Sequence, residues 1–259
     1  MKINKLFLFT CLCFMAVSSF AQKTAEKPSN KWSRDESLKI LSDSSWARTY
    51  QSTQASAAAD AAAAVRHQAG TRLSGGDPGS SALIGAPAPV VIRLHSALPI
   101  RQALTRLNQL SAGYDKMDEK GKAEFDVSVK KFLECAICQN YYVVTLTQFP
   151  NTTGQSVEEA IFQGMKLEHM KGNVWLTNEK GEKRELIQFT PPKQRGDSAV
   201  FFFARKDDKG VEFLTTANKE LNFEFNNNFL TSSNRFARFV PRRFEFKISK
   251  MTVGENLMF

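Results

Sequence analysis

The chain reads as an α+β fold, mainly antiparallel β, with a sandwich-like or meander core, a helical hairpin insertion and a disordered amino-terminal tether. Three observations predict it. Seven strand-like segments crowd the residues after Asn140, separated by turn residues. Of the 21 phenylalanines, 17 lie at or after Phe125, which places the large apolar side chains of a core in the second half. Between Gln51 and Pro89 the composition is dominated by Ala, Gly, Ser and Pro, which offers too little apolar surface to order a core.

Residues 1–21 have the three parts of a secretory signal. Lys2 and Lys5 give a positive start, an apolar run extends from Leu6 to Val17, and Ser19-Phe20-Ala21 precedes Gln22 as a cleavage site. The apolar run is about a dozen residues, short of the roughly 20 that span a bilayer core. The expectation is an exported chain, periplasmic or extracellular after cleavage near Ala21, with no transmembrane segment in the mature form. Cys11 and Cys13 sit inside the apolar run, and Phe9-Thr10 precedes Cys11 where a lipoprotein signal has small residues. Loss of Lys2 and Lys5 lowers the formal charge from +9 to +7. That balance suits an anionic polymer or another envelope protein as partner, and export disfavours nucleic acid.

The elements follow in order. Residues 22–48 form a short helical segment: Ser33-Arg34-Asp35-Glu36 is a capping box opening a helix through Leu38, Ile40 and Leu41. Residues 49–87 are a low-complexity linker, and 88–259 a β-rich globular domain. Val90 to His95 alternates as a strand, with Val90, Ile92 and Leu94 on the core face. Pro99 suits a first helical turn, and Ile100, Leu104, Leu107 and Leu110 recur at helical spacing. A second helix from Asp118 to Glu134 sets Phe125, Val129, Phe132 and Leu133 on one stripe, with Asp118–Lys122 and Asp126–Lys130 as i to i+4 ion pairs. The strands are Tyr141–Thr147, Asn173–Thr177, Arg184–Phe189, Ser198–Arg205, Val211–Thr215, Leu221–Phe225 and Arg243–Met251. Gly181 and Gly210 provide turns, and Ser156 to Glu159 is a second capping box.

No motif assigns a catalytic residue, a cofactor or a metal. Cys135-Ala136-Ile137-Cys138 places the two cysteines that survive signal cleavage at disulfide or redox spacing, in an oxidising compartment. Gln139 stands where haem attachment requires His. The pair also follows a helix, whereas a thioredoxin-like pair opens one, and no further metal ligand lies at short spacing. His95 and Ser96 are adjacent on a strand end, but no Gly-x-Ser-x-Gly elbow accompanies them. Arg235, Arg238, Arg242 and Arg243, interleaved with Phe236, Phe239, Phe244 and Phe246, form an anion or partner surface. These readings favour a non-catalytic exported binding or interaction module. The alternatives are a thiol-disulfide or metal-dependent activity at Cys135 and Cys138, and a hydrolase assembled from distant residues.

Overall fold

In the computed structural model of the protein, residues 21, 23–50, 89–148, 157–194, 196–229, 240–253 and 256–259 are described. Residues 1–20 of the signal segment, most of the linker, Ser156 of the second capping box, and Arg235 and Arg238 lie outside them.

Eight of the described strands build one antiparallel sheet, and the short strands Thr252–Val253 and Asn256–Leu257 pair with each other in a separate two-stranded sheet. In chain order the eight are β1 (Ala47–Tyr50), β2 (Val90–Leu94), β3 (Tyr141–Gln148), β4 (Val174–Asn178), β5 (Lys183–Thr190), β6 (Ala199–Ala204), β7 (Glu220–Phe225) and β8 (Arg243–Lys247). Their spatial order is β1-β2-β3-β6-β5-β4-β7-β8, every neighbour antiparallel. The expected sandwich is not found: the sheet curls until β1 and β8 face each other, giving a nearly closed barrel. Arg48 on β1 donates from Nε to the Glu245 carbonyl on β8 at 3.1 Å, and its guanidinium lies 5.9 Å from the Phe246 ring.

The curl follows from alternation. Each strand gives one row of apolar side chains to the inside, and the register aligns the rows. Ile92 opposes Leu146, Val144 opposes Phe201, Phe201 opposes Phe189, Leu176 opposes Phe223, and Phe223 opposes Phe244. One extra residue, Ile187, breaks the β5–β6 register between Leu186 and Gln188, so that Leu186 and Phe189 both reach the inside. The interior is filled by Phe201, Phe203, Phe223, Phe225, Phe246 and Tyr142, all fully buried. Val211–Thr215 is not a strand. It forms a loop, pinned by a bridge between Lys206 and Glu212, that brings Phe213 and Leu214 against the core. The hairpin glycines adopt the expected left-handed backbone, Gly181 at φ 77° and Gly210 at φ 80°.

Helices close the barrel. α1 (Arg34–Ser42) begins with the expected capping box, Ser33 Oγ accepting from the Glu36 amide and the Glu36 carboxylate accepting from the Ser33 amide. Its Ile40 and Leu41 enter the same core as the strands, beside Trp32 and Trp46. Thr49 and Tyr50, read from composition as linker, belong to β1. α2 (Leu98–Ser111) and α3 (Glu119–Glu134) form the hairpin, and α4 (Val157–Phe162) covers one barrel end by inserting Phe162 among Phe189, Phe201 and Phe225. A short α5 (Leu167–Met170) precedes β4. No described helix is long and apolar enough to cross a membrane.

The filled interior predicts that Phe223→Ala lowers unfolding stability by about 3–5 kcal/mol, since it deletes a fully buried ring and leaves a cavity. Urea unfolding followed by tryptophan fluorescence measures this; a loss under about 1 kcal/mol would show that the barrel centre is not tightly packed.

Candidate functional site

The barrel interior is occupied, and among the described residues a concave surface lies at the helical hairpin. α2 is buried on two sides. Ile100 and Ala103 enter the core, with Leu104 and Leu107 half-buried against it, while Arg101, Thr105, Arg106 and Gln109 are buried along other faces of the helix. Gly113, at φ 71°, reverses the chain, and a single turn at Tyr114–Lys116 leads to Asp118, whose carboxylate caps α3 by accepting from the Gly121 amide at 2.8 Å. Asp118 is therefore used as a cap and not as the partner of Lys122, which pairs with Glu119 at 3.1 Å. Likewise Lys130 pairs with Glu134, and Asp126 accepts from the Tyr114 hydroxyl at 2.9 Å.

This turn encloses a cleft of about 550 Å³ between α2, α3 and the Ser29–Lys31 turn. Arg106 forms its floor. Its guanidinium is almost wholly buried, donating from Nε to the Trp32 carbonyl at 2.8 Å and from Nη1 and Nη2 to the two Asp115 oxygens at 2.9 and 2.8 Å. That fork holds the Asp115 carboxyl below the usual carboxylate range, chiefly through the hydrogen bonds from Arg106. Burial, then the hydrogen bond and charge of Asp126, push the Tyr114 hydroxyl above its ordinary value. Tyr114 is fixed in turn by an edge-on contact with Phe125 at 5.4 Å. Asn30, Lys31, Glu119, Lys122 and Ala123 complete the lining. The cleft is polar, its charges are mostly matched in pairs, and it contains no Ser, Thr, Cys or His.

The residues singled out in the sequence stand elsewhere. Cys135 and Cys138 are disulfide-bonded. Cys135 ends α3 with φ 44°, the one non-glycine residue at positive φ among those described, and Cys138 is buried beside Val143 and Phe202 on the outer barrel wall. The negative end of the α3 dipole meets Cys135, which disfavours a thiolate, so the geometry suits a staple better than a redox centre. The Cys138 carbonyl accepts from Arg205 Nε at 2.7 Å. The Arg205 guanidinium lies 4.6 Å from the Tyr142 ring and 5.3 Å from the Phe259 ring, so the turn is tied to one barrel end.

His95 packs edge-on against Phe132 at 5.6 Å. Burial first, then the charges of Arg101 and Arg93, lower its pKa to about 4, which opposes the proton uptake a general base needs. Arg242 and Arg243 are exposed, and Arg243 lies 3.9 Å from each of Glu220 and Glu224. No group of three potential metal ligands occurs among the described residues. The Arg106–Asp115 fork was not foreseen; its signal in the sequence is only that Arg101 and Arg106 interrupt an otherwise apolar-spaced helix.

No family model, no curated protein and no solved structure matches this chain. The fold and site define it only as a filled, nearly closed antiparallel barrel with a polar cleft on an appended hairpin.

Two outcomes follow. His95 has a folded pKa below its unfolded one, so the unfolded chain binds the extra proton between about pH 6.5 and 4 and stability falls as pH drops through that window. The loss approaches roughly 3 kcal/mol, and His95→Phe should flatten the pH dependence of urea unfolding; an unchanged slope would show that His95 is not the group responsible. Replacing Cys135 and Cys138 together by Ser should cost about 2 kcal/mol on the chain-entropy estimate for so short a loop. Thermal unfolding with and without a reducing agent checks it, and a variant as stable as the parent would show that the bond is dispensable.

Proposed function

We propose that this protein is an exported, non-catalytic binding module that receives a small polar ligand in the cleft between α2 and α3. The observation that carries the reading is the cleft itself: about 550 Å³ of polar, charge-paired surface on a protein whose barrel interior is filled with phenylalanine. A preformed concave site with a few fixed polar groups is the usual form of a ligand pocket. Its lining supports binding more than turnover. Asp115 is held ionised by Arg106, the Tyr114 hydroxyl is held protonated by burial and by Asp126, and the charged groups of the lining are mostly engaged with one another. Lys31 and Asp126 are the groups best able to engage a ligand, since Lys31 is exposed and Asp126 gives the Tyr114 hydroxyl a single oxygen. Export rests on the signal-like residues 1–21.

The test is an amide NMR titration of the protein with free amino acids, dipeptides and sugar acids. At least one class should move the resonances of Lys31, Tyr114 and Asp126 and saturate. Lys31→Ala combined with Asp126→Asn should weaken that binding at least about tenfold, roughly what loss of one charge-assisted contact costs, while leaving the melting temperature nearly unchanged. Absence of any shift at about 10 mM ligand, or shifts confined to other surfaces, would overturn the cleft as the site.

A further inference from the structure

The charges lining the hairpin cleft do not all find partners within it. The cations are Lys31, Arg106 and Lys122, and the carboxylates are Asp115, Glu119 and Asp126. Arg106 pairs with Asp115 at 2.8 Å, and Lys122 with Glu119 at 3.1 Å. Lys31 and Asp126 are left over. Both are exposed, and neither forms an ion pair among the described residues. On α3 the cations one turn to either side of Asp126 are Lys122 and Lys130, and Lys130 stands 3.7 Å from Glu134. Asp126 meets the Tyr114 hydroxyl through Oδ2, and its Oδ1 has no hydrogen bond among the described residues. Lys31 belongs to another wall of the cleft, the Ser29–Lys31 turn, from which its charge is felt at Asp115.

We infer that the cleft takes a zwitterion, a free amino acid or short peptide, whose ammonium lies at Asp126 and whose carboxylate lies at Lys31. The inference rests on the cleft being the binding site. An ion of one sign would satisfy one of the two leftover groups and leave the other as it was. A zwitterion makes a charge-assisted contact with each, and it adds no net charge to a lining whose cations and carboxylates already balance. Hydrogen-bond chemistry fixes which end goes where. An ammonium only donates, which suits the free Oδ1 of Asp126, and a carboxylate only accepts, which suits the N–H groups of Lys31. Ala123 is the one aliphatic residue of the lining, so the cleft offers little surface to a large apolar side chain and favours small or polar ones. A volume of about 550 Å³ is in the range of pockets for small molecules, enough for a peptide of a few small residues.

The probes are glycine, diglycine and triglycine, titrated into the full protein and followed by amide NMR, with the N-acetyl and carboxamide forms of the tightest binder as controls. The expected result is saturable movement of the Lys31, Tyr114 and Asp126 resonances by the free form. Blocking either end should weaken binding at least about tenfold, as loss of one charge-assisted contact implies. The variants then cross over. Lys31→Ala should erase the preference for the free carboxylate and keep that for the free ammonium, and Asp126→Asn should do the reverse. Equal binding of free and blocked forms, or movement of these resonances by a sugar acid but by none of the glycine series, would overturn the zwitterion and leave the cleft standing as a site. No movement by any ligand class would bring down the cleft reading with it. A melting temperature that falls as far in either single variant as in the double would show that Lys31 and Asp126 pair with each other, and would also sink the inference.

Discussion

The interaction on which the rest of the structure depends is the packing of phenylalanine rings along the barrel axis. Phe201 lies between 5.1 and 6.1 Å from the rings of Phe162, Phe189, Phe223 and Phe225. Those rings come from α4, β5 and β7, so one side chain on β6 joins elements that are remote in sequence. Aromatic pairs prefer such edge-on and offset contacts, and each ring brings a large buried area. The consequence is geometric. With eight strands the interior is just wide enough for side chains to fill it, and here they do. Open surface is therefore left to the outer wall and the appended helices, not to the barrel interior.

Much of this was legible in the sequence because alternation is a local signal. Val90, Ile92 and Leu94 face the core as the pattern required, and the capping box at Ser33 and the hairpin glycines stand where their chemistry placed them. Closure was not legible. Whether a sheet splits into two packed layers or curls into one barrel depends on twist, stagger and bulges such as that at Ile187, and a single strand's pattern carries none of these. Thr49 and Tyr50 were obscured for a related reason. They form an edge strand of four residues beside a stretch of low complexity, and long-range pairing with β2 makes them a strand.

The hairpin shows the limits of periodicity more sharply. Phe125, Val129, Phe132 and Leu133 fall on one stripe of α3, yet no residue of that sixteen-residue helix is buried. The stripe faces α2 and is only partly covered, while α2 buries Arg101 and Arg106. Spacing identifies which residues share a face; it does not identify how closely the neighbouring element approaches. At the hairpin tip Arg106 bonds to Asp115 and Tyr114 to Asp126, so polar contacts, together with the Tyr114–Phe125 ring contact, set the separation there. That is why a site built from the charged residues of this turn was invisible while its helices were not.

The arginines revise the meaning of the basic composition. Arg93 Nε donates to the Leu41 carbonyl at the end of α1, Arg101 Nε to the Leu133 carbonyl at the end of α3, and Arg205 Nε to the Cys138 carbonyl in the turn that follows. Arg106 reaches the Trp32 carbonyl, and Arg48 the Glu245 carbonyl across the seam. Helix ends leave carbonyls without partners in the chain, and cations there are favoured by the dipole as well as by hydrogen bonding. Guanidiniums thus fasten these main-chain carbonyls, and three of the five are almost wholly buried. A net charge read from composition suggests an acidic partner for the whole surface. Once these internal roles are subtracted, the positive charge left on the surface is local and interleaved with carboxylates, as on β8, where exposed Glu245 lies between Arg243 and Lys247. The same geometry that consumes the cations in the core decides where the remaining ones can act.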